Sequence, residues 1–353
     1  MKNRYEDMKN LLDFTRQDLS VWLEENGIRS FRAGQISKWI CIRQAESFEE
    51  MTDLSKELRN KLEAHFYIPR LTIEEKMVSA DTTEKFLFRL SDGLHIESVL
   101  IPGKDHFTLC VSSQVGCAQN CRFCLTAKGG FIRNLTVGEI IAQIRDIRHY
   151  LMQKGIDPLK LSNIVFMGMG EPLANYRNLI KSLETITDTD YGFKFSPRHV
   201  TVSTSGLVPK MTQLGLDTGV NLAVSLNATT DELRSELMPI NHKYPLKQLL
   251  EACRTFTMKP RNKITFEYIL MKGVNDSRED ALRLVKLLSP IKAKINLIPF
   301  NEYEAGGFKR PDRKGISDFL QILLDRNFTA IIRKSKGDDI LAACGQLKAK
   351  LIP

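Results

Sequence analysis

The sequence predicts an α/β protein whose main domain is a parallel β-sheet, either open or closed as a barrel. From about residue 107 onward, short apolar stretches alternate with longer amphipathic stretches. This order is typical of β/α units joined by right-handed crossovers. Polar or glycine-containing motifs directly follow most of the short apolar stretches. Because the carboxyl ends of parallel strands form one face, these motifs are expected to line a common mouth.

Residues 1–70 are predicted to form a small helical accessory domain. Apolar residues recur at helical spacing in three stretches, 19–23, 36–40 and 54–62, as the buried face of an amphipathic helix requires. The segment carries 12 basic and 12 acidic residues, so it contributes nothing to the net charge.

Residues 71–106 are predicted to form a β-hairpin that connects the accessory domain to the main domain. Residues 85–90 and 96–101 alternate between apolar and polar side chains, which is the period of a half-buried strand. The sequence Ser-Asp-Gly at 91–93 separates them and is typical of a tight turn.

The main domain is predicted to span residues 107–334, and a C-terminal segment follows at 335–353. Its strands are expected at residues 107–113, 162–168, 199–204, 220–226, 263–271, 293–299 and 328–333. Helices are expected between most of these strands, at residues 136–154, 175–187, 245–258, 277–288 and 311–326.

The chain of 353 residues has 51 basic and 42 acidic residues, which gives a net charge of +9. Since residues 1–70 are neutral, the positive surplus lies entirely in the rest of the chain. Basic residues concentrate at three places, and such clusters favour a polyanionic partner. These places are the group Lys104, Arg122, Lys128 and Arg133, residues 243–263 and residues 309–350. Charge alone is equally compatible with a basic surface that only keeps the protein soluble.

No apolar run reaches the ~18 residues that a membrane span needs, and the first residues lack the apolar core of a secretory signal. We therefore expect a cytoplasmic protein. Thiols stay reduced in that compartment, so the seven cysteines are better explained as metal ligands or reactive groups than as a disulfide framework. Cys41 and Cys253 fit no motif and are assigned to core packing.

The most specific motif is Cys117-Ala-Gln-Asn-Cys121-Arg-Phe-Cys124. Three thiolates on one short loop can each bind one iron of a [4Fe–4S] cluster and leave the fourth iron open. A structural zinc site would require a fourth protein ligand, which His106 or Cys110 could supply. The residues alone therefore leave a zinc-stabilised RNA-binding module as an alternative.

This motif, with an aromatic residue before its third cysteine, resembles the signature of the radical S-adenosylmethionine enzymes. The resemblance implies a partial parallel (β/α) barrel, a [4Fe–4S] cluster bound by the three cysteines, and S-adenosylmethionine bound to the open iron. The sequence Gly168-Met-Gly-Glu171-Pro172 resembles the Gly-Glu-Pro strand end that contacts the cofactor in these enzymes. Taken alone, it is also compatible with an ordinary β/α turn.

The resemblance narrows to the dual-specificity adenine-C2 methyltransferases of 23S rRNA and tRNA. Motifs from nearly the whole chain carry it: Phe31-Arg-Ala-Gly-Gln-Ile36, Cys110-Val-Ser-Ser-Gln-Val-Gly-Cys117, Val202-Ser-Thr-Ser-Gly206, Asn296-Leu-Ile-Pro-Phe-Asn301 and Gly337-Asp-Asp-Ile-Leu-Ala-Ala-Cys344. The resemblance assigns cofactor binding to residues at the strand ends, namely Glu171, Pro172, Ser203, Ser225, Leu226, Asn227 and Asn301. The family usually has histidine where this chain has Asn227.

The resemblance also implies a mechanism. Cys344 accepts a methyl group from one S-adenosylmethionine, and a second molecule provides the radical through which the methyl carbon adds to adenine C2. Glu97 accepts the C2 proton, and Cys110 resolves the protein–RNA adduct, which leaves a Cys110–Cys344 disulfide. From the residues alone, the two cysteines would be assigned to the core and Glu97 to a solvated strand face.

The nearest rival is the sibling family that methylates adenine C8 of 23S rRNA and confers antibiotic resistance. That family has Gln-Cys-Gly and Gly-Glu-Ala at two positions where this chain has Gln-Val-Gly, at 114–116, and Gly-Glu-Pro, at 170–172. Both differences favour methylation at C2.

The expected partners are 23S rRNA and tRNA, held mainly through their phosphates and recognised by shape, and an external electron donor of the flavodoxin type. The target adenine must leave its stack to reach the mouth of the barrel. We expect a monomer without membrane contact. Cys110 and Cys344 are far apart in sequence, yet a disulfide requires their Cα atoms within about 7 Å, so the C-terminal segment is expected to be mobile.

Overall fold

The computed structural model describes residues 8–303 and 307–348. The predicted accessory domain and C-terminal segment extend into residues 1–7 and 349–353, which lie outside the described residues. The strands are β1 (Lys9–Asn10), β2 (Phe66–Tyr67), β3 (Thr72–Val78), β4 (Glu84–Arg89), β5 (His95–Pro102), β6 (Phe107–Cys110), β7 (Gln114–Gly116), β8 (Phe131–Asn134), β9 (Leu161–Phe166), β10 (Val200–Thr204), β11 (Asn221–Ser225), β12 (Ile264–Leu270), β13 (Ala293–Pro299) and β14 (Thr329–Ile332). The α-helices are α1 (Arg16–Glu25), α2 (Arg32–Cys41), α3 (Lys56–His65), α4 (Leu125–Lys128), α5 (Val137–Gln153), α6 (Tyr176–Thr187), α7 (Val208–Asp217), α8 (Asp231–Leu237), α9 (Ile240–Lys243), α10 (Leu246–Arg254), α11 (Arg278–Leu288) and α12 (Arg313–Asp325).

A ten-stranded sheet forms the centre of the molecule, in the order β14-β13-β12-β11-β10-β9-β6-β5-β4-β3. The strands from β6 to β14 in this sheet are all parallel to their neighbours and follow one another in chain order without reversal. A β/α barrel is wound in this way, whereas a doubly wound sheet reverses its strand order. Because β14 and β3 remain separate edges, the barrel is partial, as predicted.

The predicted barrel strands agree with the structure to within a few residues, except for the first. The stretch predicted as one strand at 107–113 is the short β6 followed by irregular backbone. β7 then leaves the main sheet and pairs antiparallel with β8. The cysteine motif directly follows β7 and lies between the two strands of this pair, so the pair positions the motif beside the sheet.

The predicted hairpin is part of a three-stranded antiparallel extension of the same sheet. β4 and β5 correspond to the two predicted strands, and the sequence analysis missed β3, which pairs with β4. β3 is exposed along its whole length, so it has no buried face to signal a strand. Because β5 pairs with β6, the hairpin region and the barrel share one sheet.

The accessory domain packs against α5 through buried polar contacts. Arg145 is fully buried and donates to the carbonyl oxygens of Pro69 at 2.7 Å and Ala45 at 2.5 Å. The next residue, Asp146, accepts a 2.7 Å hydrogen bond from Arg70. One continuous hydrophobic core extends from this domain into the barrel, which fixes the two relative to each other.

Cys41 and Cys253 are buried in that core, as predicted. Among the described residues, no helix combines the length and the apolar character that crossing a membrane requires.

Candidate active site

A cleft opens at the carboxyl ends of the parallel strands, where the sequence predicts the site. Its walls come from the cysteine motif, the ends of β9 to β13 and the C-terminal segment, and it holds about 760 Å³ of empty space including its open mouth. The predicted residues that line it are Cys117, Cys121, Cys124, Glu171, Pro172, Ser203, Ser225, Asn227 and Cys344.

The three cysteines of the motif lie in the segment from the end of β7 to the start of α4, which we call the cysteine loop (residues 117–124). The backbone N–H of Cys124 donates to the carbonyl oxygen of Cys121 at 3.1 Å, and Asn120 has a left-handed φ of 52°, so the loop is tightly turned. Burial raises the pKa of the Cys117 thiol to about 12 and that of Cys121 well above its usual value. The thiol of Cys124 raises both further, which shows that the sulfur atoms lie close to one another.

This set of donors fits a [4Fe–4S] cluster held through three irons. Thiolates are the preferred ligands of such clusters, and the adjoining cleft leaves room for a small molecule at the fourth iron. In residues 8–303 and 307–348, no group of three or more His, Cys, Asp or Glu side chains is arranged to hold a single metal ion.

Two glycines after β9, Gly168 and Gly170, allow the backbone there to pack closely against residues 111–114, which precede the cysteine loop. A Cβ atom on Gly168 would lie 2.7 Å from the carbonyl oxygen of Val111, and one on Gly170 would lie 2.5 Å from the side chain of Gln114. Gly170 also has a φ of 97°, which favours glycine. The Gln114 side chain accepts a 2.8 Å hydrogen bond from the backbone N–H of Glu171. These contacts fix the Gly-Glu-Pro motif against β7.

Glu171 is buried, and both of its carboxylate oxygens accept hydrogen bonds from the protein. One accepts the N–H of Leu173 at 3.1 Å, and the other accepts the N–H and the hydroxyl of Ser205 at 2.7 and 2.9 Å. Burial raises the pKa of this carboxyl, and the bonds from Ser205 oppose that shift. Glu171 therefore ties the end of β9 to the end of β10, and its contact with the cofactor stays a prediction.

Arg234 organises the ends of β10 and β11, a role that the sequence analysis missed. Its side chain is fully buried and donates to the carbonyl oxygens of Ser205 at 2.7 Å, Ser225 at 3.1 Å and Leu226 at 3.1 Å. Arg234 belongs to α8, which carries no motif and was not predicted. The role of Arg234 cannot be recognised from the sequence, because its hydrogen-bond partners are backbone groups at the ends of two separate strands.

Asn227 has a left-handed backbone with a φ of 57°, a conformation in which asparagine is enriched. Its side-chain oxygen accepts the N–H of Ile269 in β12 at 2.9 Å, and its amide lies 3.3 Å from the sulfur of Met238. The side chain of Asn227 therefore links the end of β11 to β12 through a hydrogen bond. The fold accommodates asparagine at this position. Leu226 beside it is completely buried in the core.

Glu267 and Arg333 form a charged pair at the cleft that the sequence analysis also missed. The Ser203 hydroxyl donates to the carboxylate of Glu267 at 3.2 Å, and Arg333 forms an ion pair with that carboxylate at 3.4 Å. The Arg333 guanidinium lowers the pKa of the thiols of Cys110 and Cys344, against the larger effect of burial. Arg333 therefore favours the thiolate form of both cysteines.

Cys110 and Cys344 come close together, as the proposed chemistry requires. Burial raises the pKa of Cys110 to about 12, and the neighbouring Cys344 raises it further. Burial likewise raises the pKa of Cys344. All seven cysteines are free thiols in the structure, so the expected disulfide is not formed here. Because the thiolate is the reactive form, burial and Arg333 act on the two thiols in opposite directions.

The C-terminal segment folds across the cleft and brings Cys344 to the cysteine loop. The backbone N–H of Leu125 donates to the carbonyl oxygen of Gly345 at 2.7 Å. On the other side, the Asn301 amide donates to the carbonyl oxygen of Cys344 at 3.4 Å. Asn301, which the sequence assigns to cofactor binding, therefore holds the segment that carries Cys344.

Glu97 is buried between β5 and the C-terminal segment. Its carboxylate forms a 3.2 Å ion pair with Lys85 of β4, and its other oxygen accepts the backbone N–H of Lys348 at 2.7 Å. Burial raises the pKa of Glu97, and Lys85 opposes this shift. A carboxylate with a raised pKa is a stronger base, which suits a proton acceptor.

Comparisons with known proteins agree with this site. Residues 9–68 match the family described as the ribosomal RNA large subunit methyltransferase N-terminal domain, and residues 111–285 match the radical SAM (S-adenosylmethionine) superfamily. The chain is 59% identical over 343 residues to the dual-specificity RNA methyltransferase RlmN of Desulfosudis oleivorans, which covers 97% of this chain and 91% of that protein. It is 54% identical to the protein of the same name from Geobacter sulfurreducens, over 95% of this chain and 90% of that one.

A solved structure has the same fold as this chain. The crystal structure of a radical SAM methyltransferase from Sphaerobacter thermophilus matches with a TM-score of 0.89 at 42% sequence identity, over 97% of this chain and 100% of that one. Membership of the radical SAM superfamily implies a [4Fe–4S] cluster and the use of S-adenosylmethionine, for which the cysteine loop and the cleft are suited. Identity of this level over almost the full length shows that the chain belongs to the dual-specificity RNA methyltransferase RlmN family, within the radical SAM superfamily.

Proposed function

We propose that this protein methylates C2 of a specific adenosine in the peptidyl-transferase centre of 23S rRNA and of the adenosine 3′ to the anticodon in certain tRNAs. The printed name of the relatives, dual-specificity RNA methyltransferase, supports RNA as the substrate. The observation that carries the proposal is the position of Cys344. This thiol lines the same cleft as Cys117 and Cys124 and lies beside Cys110.

The target carbon explains why cysteines are needed. Adenine C2 is electron-poor and does not attack a methyl sulfonium as a nitrogen nucleophile would, whereas a thiolate does. When bound, the cluster and two molecules of S-adenosylmethionine per turnover supply a methyl group and a 5′-deoxyadenosyl radical. The cysteine loop holds the cluster, and the strand ends around Glu171 and Ser203 form the wall that faces the cofactor.

Cys344 is the methyl acceptor. Its thiol must first lose a proton, and Arg333 favours that loss because its positive charge lowers the pKa of the thiol. Once a hydrogen atom has been removed from the S-methyl group, the methylene carbon bonds to C2. The RNA is then covalently attached to Cys344.

Glu97 and Cys110 complete the reaction. The adduct gives its C2 proton to the carboxylate of Glu97 and also loses one electron, which the cluster held by the cysteine loop would accept. Cys110 then loses its thiol proton and attacks the sulfur of Cys344. The carbon–sulfur bond breaks, the methylene carbon takes up a proton to become the methyl group, and the methylated adenine leaves. The transient disulfide between the two cysteines is reduced by an external reductant.

Two further requirements follow from this chemistry. The target adenine must be unstacked to enter the cleft, since C2 is otherwise shielded within the helix. Electrons must come from outside the chain, and we expect a flavodoxin-type donor. We also expect the protein to act as a cytoplasmic monomer.

Mass spectrometry of RNA tests the proposal. A bacterial strain that lacks its own adenine-C2 methyltransferase is complemented with this protein, with Cys344→Ala, or with Cys253→Ala, which removes a buried thiol outside the cleft. We expect 2-methyladenosine in 23S rRNA and tRNA with the wild type and Cys253→Ala, and none with Cys344→Ala. Formation of 8-methyladenosine would identify the sibling activity instead, and unmodified RNA with iron-loaded wild-type protein would contradict the proposal.

A further inference from the structure

Two buried side chains of opposite charge hold the loop that carries Cys344. Lys85 and Glu97 form an ion pair at 3.2 Å, with side-chain exposures of 10% and 5%. Lys85 also donates to the carbonyl oxygen of Leu341 at 3.3 Å, and Glu97 accepts the backbone N–H of Lys348 at 2.7 Å. The pair therefore contacts the loop on both sides of the cysteine.

Stability alone does not explain this arrangement. A buried ion pair loses hydration that a pair of apolar side chains would not lose, so it is often no more stable than its apolar replacement. The loop is also strained, because Leu341 has a left-handed φ of 52°, which is unusual for leucine. A strained backbone persists only where surrounding contacts hold it in place. At Leu341, Lys85 provides such a contact.

The segment before the loop is anchored separately. Asp339 accepts hydrogen bonds from the hydroxyl of Ser79 at 2.5 Å and from the backbone N–H of Ala80 at 3.0 Å. These bonds join it to the turn between β3 and β4 and involve neither Lys85 nor Glu97. The segment before the loop therefore keeps these two bonds when the contacts of Lys85 and Glu97 are lost.

We propose that Lys85 and Glu97 form a latch that holds residues 341–348, which we call the Cys344 loop, against the cleft. While the loop is latched, the Glu97 carboxylate is occupied by Lys85 and by a backbone N–H of the loop. It becomes free to accept a proton only when the loop moves. Lys85 is thus a positioning residue that couples the position of Cys344 to the availability of the base. This coupling rests on the proposed function of Glu97, whereas the latch itself does not.

Hydrogen–deuterium exchange of the full-length holoprotein, purified anaerobically, tests the latch. The readouts are the backbone N–H groups of Lys348 and Leu125, which are both hydrogen-bonded when the loop is latched. Lys85→Met should speed exchange at both by about tenfold, because the loop opens more often. The N–H of Ser205, bonded to Glu171 elsewhere in the cleft, should exchange as in the wild type. Lys85→Arg keeps the positive charge and should restore slow exchange at both readouts.

A matched control removes another lysine from the same sheet. Lys76 of β3 lies 3.7 Å from Glu84, and Lys76→Met should leave exchange at both readouts unchanged. If Lys85→Met does not fold, the double variant Lys85→Met/Glu97→Gln leaves no unpaired buried charge and supports the same measurement. Exchange at the wild-type rate in a folded Lys85→Met or double variant would overturn the latch. Exchange needs neither RNA nor turnover, so this result is separate from any failure to methylate, which bears on the proposed function alone.

Discussion

The backbone N–H of Leu125 donates to the carbonyl oxygen of Gly345 at 2.7 Å, and this bond joins the cysteine loop to the Cys344 loop. Leu125 directly follows Cys124, and Gly345 directly follows Cys344. One main-chain hydrogen bond thus sets the separation between a proposed cluster ligand and the proposed methyl acceptor. The bond depends on the backbone at Gly345, which has a left-handed φ of 83°.

Gly345→Ala should slow methylation of Cys344 about tenfold while the iron content stays normal. Alanine in a left-handed conformation costs about 1–2 kcal/mol, enough to displace the backbone and break the bond to Leu125. The measurement is mass spectrometry of the Cys344 peptide after timed incubation with S-adenosylmethionine. The control is Gly155→Ala, at a φ of 69° in open space after α5, which carries similar strain far from the cleft. Equal methylation in both variants would show that the bond is dispensable.

The pH dependence of C2-proton loss should identify the base. Only the carboxylate form of Glu97 accepts a proton, so the rate should rise with pH through its pKa and then level off. Burial raises this pKa, Lys85 and the N–H of Lys348 lower it, and Glu75 raises it. Removing the lysine charge in Lys85→Met should therefore raise the pKa of Glu97. The rise of the rate with pH should then occur at higher pH than in the wild type.

Single turnovers that start from pre-methylated enzyme, followed by release of methylated RNA, give this pH profile. Lys85→Arg is the control, because it retains the charge beside Glu97 and should leave the pH dependence of the rate unchanged. If the rate rises over the same pH range in Lys85→Met and in the wild type, a group other than Glu97 controls the loss of the C2 proton.

The parallel strands could be predicted because they are buried and bounded by turns, whereas their arrangement as a partial barrel was implied by the family resemblance. β13 lies within residues 293–299 as predicted, and the motifs after β9, β10 and β11 meet at one cleft because parallel strands share a carboxyl edge. The charged residues that organise the cleft could not be predicted. Arg234, Glu267 and Arg333 act on groups from distant strands, so nothing in their local sequence marks them.

Charge patterning was likewise a poor guide to position. The basic cluster at 243–263 includes Lys259 and Arg261, which directly precede β12. They therefore lie at the amino end of the sheet, opposite the cleft. By contrast, Arg122 and Lys128 are exposed on the cysteine loop and on α4. Linear sequence shows how many charges a segment carries, whereas the face they occupy depends on the fold.

RNA affinity should accordingly depend on the cations beside the cleft. Arg122→Gln and Lys128→Gln should each flatten the plot of log affinity against log salt by about 0.7–0.9 for a lost phosphate contact. Lys259→Gln and Arg261→Gln are the matched controls and should keep the wild-type slope. Fluorescence anisotropy of a labelled RNA at several salt concentrations measures these slopes. A loss confined to the control variants would place the RNA at the opposite end of the sheet.

A covalent adduct between RNA and Cys344 is the intermediate that methylation through this cysteine requires. Cys110→Ala is purified anaerobically from cells, digested with nuclease and protease, and analysed by mass spectrometry, with Cys344→Ala prepared in parallel. In Cys110→Ala we expect adenosine joined through a methylene carbon to Cys344, and the undigested protein should show a nuclease-sensitive heavy band on denaturing gels. Neither signal should appear in Cys344→Ala. Iron-loaded Cys110→Ala in which Cys344 carries only a methyl group or none would contradict methylation through this cysteine.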